Sequence, residues 1–276
     1  MEQAQLQPRV HPQETPIMEF SRLNVIYNEG QPNQVHALKD ASAVIYPGEF
    51  ISIIGPSGCG KSTLLHTLDG LNRLSSGKIR IDGREVNGPG GDRAMVFQDF
   101  ALMPWHTVYE NIAFGLRLEG KPKSYIREKV MHYIRMVGLE GFDGKYPHQL
   151  SGGMKQRVGI ARAFAVEPKI LLMDEPFSAI DEQTREIMQE EVLKLMLIEK
   201  KTVIFITHSI DEAVFLSNRI LLMTVRPGTV VEELEIDIPY PRTLETKLLP
   251  KYQEYKSRVW DHLKGEVKRQ YQKGEV

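Results

Sequence analysis

The stretch Gly55-Pro56-Ser57-Gly58-Cys59-Gly60-Lys61-Ser62 decides the fold. It satisfies GxxxxGK[ST], and its setting matters more than its letters. The apolar run Phe50 to Ile54 before it reads as a strand buried on both faces, and Lys61 to Leu71 after it carries Leu64, Leu65 and Leu68 at helical spacing. The order is strand, glycine loop, helix. Glycines let the backbone close around phosphate oxygens where a side chain would collide, while successive N–H groups and the positive helix end face the anion. The motif predicts that Lys61 reaches the β and γ phosphates of ATP as a point charge, and that Ser62 ligates a Mg²⁺ bridging the same oxygens. A tight glycine turn with an exposed lysine is the plain alternative. Cys59 fills a free position of the motif and is expected to remain open to alkylation.

Further along, the apolar run Ile170 to Met173 ends in Asp174-Glu175, two carboxylates at the C-terminal edge of a buried strand, where open α/β sheets bind their ligands. Successive strand residues point in opposite directions, so the pair can divide the work. Asp174 is placed to hold Mg²⁺ through a water, and Glu175 to accept a proton from the attacking water. Taken alone, the pair also fits a solvated turn. Val203 to Ile206 is a second continuous apolar run, and such runs alternating with helices suit a parallel sheet covered on both faces.

From Met18 to Ile54 short β-type runs are broken by turns, with Pro47-Gly48 setting up the buried strand. Ile79 to Ile81 and Ala94 to Phe97 read as short strands, and Val108 to Leu139 as mostly helical. The predicted fold class is therefore α/β: a P-loop NTPase (RecA-like) core with an N-terminal antiparallel β portion and an inserted α-helical subdomain at about residues 99–168. Residues 1–17, rich in Gln and Pro, are expected to form a disordered tail; residues 18–243 form the ATPase domain, and residues 244–276 a charged helical extension. On that last helix Tyr252, Tyr255, Val259, Trp260 and Leu263 are the expected inward residues.

Composition narrows the partners. With 35 basic and 36 acidic side chains the formal net charge is -1, so no global field draws the chain to nucleic acid or to an anionic membrane. The single cysteine rules out an intrachain disulfide and a multi-cysteine metal site, which fits a reducing compartment. No apolar stretch approaches the roughly 20 residues needed to cross a bilayer, and the first residues lack the apolar core of a signal peptide. A cytosolic protein is expected.

Between the loop and the carboxylates lies Leu150-Ser151-Gly152-Gly153-Met154-Lys155-Gln156-Arg157. Ser151 suits a helix N-cap, and Gly152-Gly153 leaves backbone N–H groups open to an anion, a second phosphate-binding helix end. This segment resembles the signature of the ABC ATPases. It stands in that family's order with the phosphate loop, with Gln98 after the strand Ala94 to Phe97, with Ser178-Ala179-Ile180-Asp181 past the carboxylates, and with Thr207-His208 ending the next strand. The resemblance covers about Met18 to Val231.

It implies ATP contacts from Gly55, Pro56, Ser57, Gly58, Cys59, Gly60, Lys61, Ser62 and Thr63, with Tyr27 stacked on adenine. Lys61, Gln98, Glu175 and His208 would form the catalytic set, Gln98 sensing Mg²⁺ and the attacking water, His208 touching the γ-phosphate. Ser62, Gln98 and Asp174 would be the Mg²⁺ set. Ser151, Gly152, Gly153 and Asp181 would serve the ATP of the opposite subunit, in a homodimer or a heterodimer with a paralogous ATPase subunit. The plain alternatives are a packed tyrosine at Tyr27, a strand-end histidine at His208 and a surface glutamine at Gln98. Two departures from the family pattern are Met154, where glutamine is usual, and Ile180, where leucine is.

Pro89-Gly90-Gly91-Asp92-Arg93, Val96-Phe97-Gln98-Asp99, Leu102-Met103-Pro104-Trp105 and Glu110 to Gly115 resemble the nitrate, sulfonate and taurine importer group. That resemblance implies an ATPase peripheral to the cytoplasmic face of the inner membrane, working with transmembrane permease subunits and indirectly with a solute-binding protein, and not with nucleic acid. Trp105 would dock a permease helix or be an ordinary packing residue. The alternatives are a soluble ABC ATPase acting on nucleic acid or ribosomes, a small-molecule phosphotransferase, and a module that binds ATP without hydrolysing it.

Overall fold

The computed structural model describes residues 15–178 and 180–272, so the tail expected over residues 1–17 falls mostly outside the described residues, as do residues 273–276. In chain order the elements are β1 (Met18–Tyr27), β2 (Val35–Ile45), β3 (Phe50–Ile54), α1 (Lys61–Asp69), β4 (Ser76–Ile81), β5 (Arg84–Glu85), β6 (Arg93–Val96), α2 (Val108–Leu118), α3 (Lys123–Met136), α4 (Gly152–Ala165), β7 (Ile170–Asp174), α5 (Glu182–Glu199), β8 (Thr202–Ile206), α6 (Ile210–Leu216), β9 (Arg219–Met223), β10 (Val230–Glu235) and α7 (Pro250–Gln272). They gather into two compact units, Met1–Gly90 with Val192–Val276, and Gly91–Glu191.

The first unit holds two sheets. One is antiparallel, in the order β2-β1-β4-β5. In the other, β3 lies between β8 and β9 in parallel, and β10 pairs antiparallel with β9. Every residue of β3 and β8 is buried, as continuous apolar runs require when a sheet is covered on both faces. Burying each Ile or Phe contributes about 1.5–3 kcal/mol. The turn at Pro47-Gly48 places Gly48 at φ 76°, and the Phe50 N–H then donates to the Asn218 side-chain oxygen at 2.8 Å. Strand β9 extends the sequence reading: its Ile220, Leu221, Leu222 and Met223 are fully buried, a third apolar run beside the two expected.

Helix α1 buries Leu64, Leu65 and Leu68 and stops at Gly70, where φ is 83° and a Cβ would stand 2.4 Å from the Gly88 carbonyl carbon. At the other end of the chain, a 3-10 turn at Leu244–Leu248 precedes α7, and Pro250 opens α7 because its missing N–H is an orphan there anyway. The inward stripe of α7 is Tyr252, Val259 and Glu266, spaced by seven, all buried. Trp260 stands about 100° further round the helix and is 59% exposed, which corrects the expectation that it packs inward.

The second unit pairs β6 with β7 in parallel, from Arg93 beside Ile170 to Val96 beside Met173. Helices α2, α3 and α4 pack on one another. A reciprocal cap starts α2: the Glu110 N–H donates to the Thr107 hydroxyl at 3.2 Å and the Thr107 N–H to the Glu110 carboxylate at 2.9 Å. Among the described residues no helix is long and apolar enough to cross a membrane.

Candidate nucleotide site

In the first unit, three parallel strands deliver three loops to one sheet edge. Ile53 lies beside Ile206 and Ile54 beside Leu222, so the residues just past β3, β8 and β9 emerge together. Those past β3 are the glycine loop, those past β8 are Thr207 and His208, and those past β9 run to Gly228.

The loop is built from its backbone requirements. Gly58 has φ 73° and Gly60 φ 106°, in the left-handed region where a Cβ is disfavoured. A Cβ on Gly60 would also stand 2.9 Å from the Ala37 carbonyl oxygen, and one on Gly55 2.9 Å from the Cys59 sulfur. No side chain therefore intrudes at these turns, and α1 begins at Lys61 directly behind them. Lys61 is 7% exposed; its Nζ donates to the carbonyls of Gly55 at 2.9 Å and Pro56 at 3.0 Å, closing the loop upon itself. The arrangement fits a polyphosphate: a glycine cradle, a helix N-terminus and an ammonium held at its rim.

Cys59 is 1% exposed and burial raises its thiol pKa, so the expected openness to alkylation is not met. Tyr27 ends β1 and is 40% exposed. Its hydroxyl donates to the Thr63 hydroxyl at 3.4 Å and accepts from Asn72 at 3.2 Å. The unit thus brings Tyr27 and Thr63 together and leaves an aromatic face at the edge of the loop. His208 is exposed in the turn between β8 and α6. The Thr207 hydroxyl donates to the buried Glu212 carboxylate and accepts from the Ser209 N–H at 2.9 Å, while Ser209 caps α6.

The second unit has its own shared edge. Because Val96 lies beside Met173, Gln98 and the Asp174-Glu175 pair leave their parallel strands on the same side. Asp174 is 5% exposed. Glu175 takes φ 43°, a left-handed conformation for a residue with a Cβ, and its carbonyl accepts from the Ser178 hydroxyl at 2.9 Å. Gln98 lies in an exposed turn, followed by Phe100 at φ 56° and Ala101 at φ 45°. Arg162 of α4 holds that turn, donating to the Ala101 carbonyl at 2.7 Å and the Phe100 carbonyl at 3.1 Å. The helix behind the signature is thereby bonded to the glutamine turn, a link that no motif announces.

Ser151 caps α4, its hydroxyl accepting from the Met154 N–H at 3.3 Å, with Ser151 and Gly152 exposed and Gly153 half-buried. A Cβ on Gly153 would meet Thr184 at an ordinary 3.6 Å, so packing does not demand glycine there. Asp181 accepts from the Thr184 N–H at 3.0 Å, and that backbone hydrogen bond holds its carboxyl below the usual range. Among the described residues no three His, Cys, Asp or Glu side chains cluster at metal-binding distance. Mg²⁺ keeps most of its waters and takes phosphate oxygens, so it needs no such cluster.

Known proteins place this geometry. The sequence profile described as "ABC transporter" matches residues 38–178. An uncharacterized ABC transporter ATP-binding protein of Methanocaldococcus jannaschii is 52% identical over 235 residues, 85% of this chain and 87% of that protein. A nitrate import ATP-binding protein of Synechocystis is 43% identical over 254 residues, 90% of this chain and 95% of that one. An aliphatic sulfonates import ATP-binding protein of Bacillus cereus is 43% identical over 233 residues, 84% and 90% of the two chains. Among solved structures, a dimeric ATP-binding cassette in a post-hydrolysis state with ADP and Pi aligns with a TM-score of 0.71 at 34% identity, covering 79% of this chain and 98% of that one. The fold is that of P-loop nucleotide-hydrolysing cassettes.

Proposed function

The chain belongs to the ABC transporter family and is an ATPase coupled to transport, and from that membership we propose that it powers an importer for a small anionic solute of the nitrate, sulfonate or taurine type. The observation that carries this reading is the 43% identity, over 90% of this chain, to a nitrate import ATP-binding protein. The chain would sit peripherally at the cytoplasmic face of the membrane, bound to separate permease subunits. Trp105, 71% exposed and beside the His106 ring, with Phe114 beyond it, offers an aromatic patch for a permease helix.

ATP would lie on the loop from Gly55 to Thr63, its adenine against Tyr27. Ser62 and Asp174, with Gln98, would hold Mg²⁺, which supplies charge neutralisation at the phosphates. Glu175 accepts a proton from the attacking water, with Gln98 and His208 orienting that water. Lys61 exchanges its loop carbonyls for phosphate oxygens. Ser151 to Gly153 and Asp181 serve the ATP held by a second subunit, so turnover opens and closes a dimer.

Glu175→Gln tests this. The variant is expected to bind ATP, to lose turnover on the order of 10²- to 10⁴-fold, and to run as an ATP-dependent dimer in size-exclusion chromatography. Hydrolysis at the wild-type rate would remove Glu175 from its role. Uptake of nitrate, taurine and alkanesulfonates by a strain lacking the gene would identify the solute.

A further inference from the structure

The glycine loop rests on the segment that leaves β9, from Met223 to Thr229. Gly228 passes so close beneath it that a Cβ there would stand 2.1 Å from the Cys59 carbonyl oxygen, and a Cβ on Gly55 would meet the Met223 Cβ at 3.0 Å. The Gly228 N–H donates to the Ala37 carbonyl and its own carbonyl accepts from the Lys39 N–H, both at 2.9 Å, which ties the segment to β2. From this base the Arg226 guanidinium reaches the loop, donating through Nε at 3.3 Å and Nη2 at 3.1 Å to the Gly58 carbonyl. The next N–H, that of Cys59, donates to the Pro56 carbonyl at 3.3 Å. The Gly58–Cys59 peptide is therefore held at both ends.

The same segment is gripped from behind by α7. Glu266 is 3% exposed, a position where a carboxylate is costly unless it is bonded. One of its oxygens accepts from the Val225 N–H at 3.0 Å, and the other pairs with Arg269. The side chain that anchors residue 225 thus sits one peptide away from the one that holds the loop.

We propose that Arg226 is a positioning residue of the phosphate loop, and that Glu266 on the C-terminal helix sets Arg226 in place, so that α7 tunes nucleotide affinity. This rests on the nucleotide-binding reading of the loop. Loop N–H groups face an anion only while the carbonyls face away, and a guanidinium seated on one of those carbonyls fixes that orientation. It also leaves a positive charge beside the loop. Donors organised before the ligand arrives need no reordering on binding, so loosening them weakens affinity. Neither side chain touches the reacting atoms.

The test is titration of the full-length chain with a fluorescent N-methylanthraniloyl ADP, alongside ATP turnover. Arg226→Met and Glu266→Ala are each expected to raise Kd on the order of tenfold. KM for ATP should rise by the same factor while kcat stays within about threefold of wild type. Glu266→Gln keeps an acceptor for the Val225 N–H and should stay within about threefold in Kd. Glu266→Asp keeps the charge but shortens the reach, should behave as the alanine variant, and serves if the latter does not fold. Wild-type Kd in Arg226→Met overturns the positioning role. Wild-type Kd in Glu266→Ala or Glu266→Asp, even with lowered thermal stability, reduces α7 to packing and overturns the relay. A wild-type chain that fails to bind the probe refutes the nucleotide reading instead.

Discussion

Glu175 is the residue on which the proposed chemistry turns, and it is held in a conformation that costs energy. A φ of 43° on a residue with a Cβ carries a strain of about 1–3 kcal/mol. The turn that follows maintains it, with the Ser178 side chain and backbone N–H both donating to the Glu175 carbonyl. The bend ends the strand abruptly, so the carboxylate leaves the sheet where Asp174, still in the strand, stays buried. A second costly residue stands in the signature helix. Gln156 is 1% exposed, and its side-chain amide finds no hydrogen-bond partner among the described residues. An unsatisfied buried polar group costs about 1–3 kcal/mol. Methionine has a similar length and a good helix propensity, so Gln156→Met should raise the stability of this unit by about 1 kcal/mol, read from urea denaturation. A loss of stability would show that the amide has a partner.

At the scale of elements, α6 shows how a short helix is closed from outside. Arg242 is 3% exposed and donates to the carbonyls of Val214, Phe215 and Ser217 at 2.8, 3.0 and 2.9 Å, as well as to Ile238. The Tyr240 hydroxyl takes the Leu216 carbonyl at 2.6 Å. Together they satisfy the orphan end of the helix that starts just after His208. Burial pushes the Tyr240 phenol up to about 12, against about 10 in an unfolded chain. The folded protein thus favours the protonated form. The stabilisation is fully present below pH 10 and is lost as the pH rises from 10 to 12, about 3 kcal/mol in all. Stability measured against pH should fall across that window, and Tyr240→Phe should remove this part of the fall. Ultraviolet titration should show a tyrosine ionising near 12 that Tyr240→Phe removes.

These contacts also mark what the sequence can disclose. The phosphate loop is legible because its backbone demands fall on consecutive residues, Gly58, Gly60 and Lys61, next to a buried strand and a helix. Asp174-Glu175 and the Ser151 cap are legible for the same reason. Arg226 bonds a carbonyl 168 positions away, and Glu266 an N–H 41 positions away. Such partners follow from tertiary packing, and no local pattern encodes them. The run Ile220 to Met223 followed by Arg226-Pro227-Gly228 did carry a signal, a strand leading into a turn at the ligand edge. Trp260 is large and apolar yet lies off the inward stripe of α7, which the charged Glu266 completes, so hydropathy alone points to the wrong side chain there.

For the molecule as a whole, the phosphate loop and the signature belong to different compact units, and the proposed assembly completes each ATP site with the signature of a second chain. An isologous pairing about a two-fold axis, in which each loop faces the other chain's signature, makes two equivalent composite sites. The solved cassette with ADP and Pi that aligns with this chain is described as dimeric. Complementation decides whether this chain works in the same way. Lys61→Ala disables the loop and leaves the signature intact, while Ser151→Arg places bulk and positive charge at the exposed cap of α4 and leaves the loop intact. Each variant alone should be inactive, because every site in its homodimer carries the defect. Mixed together, they form heterodimers in which one site combines both defects and the other has neither. With random pairing about a quarter of the wild-type sites return, read as ATP turnover. In the Glu175→Gln background, the same mixture should give a dimer that forms only with ATP. If the site were complete within one chain, the mixture would be as inactive as its parts in turnover and would form no ATP-dependent dimer, because no subunit would carry an intact site.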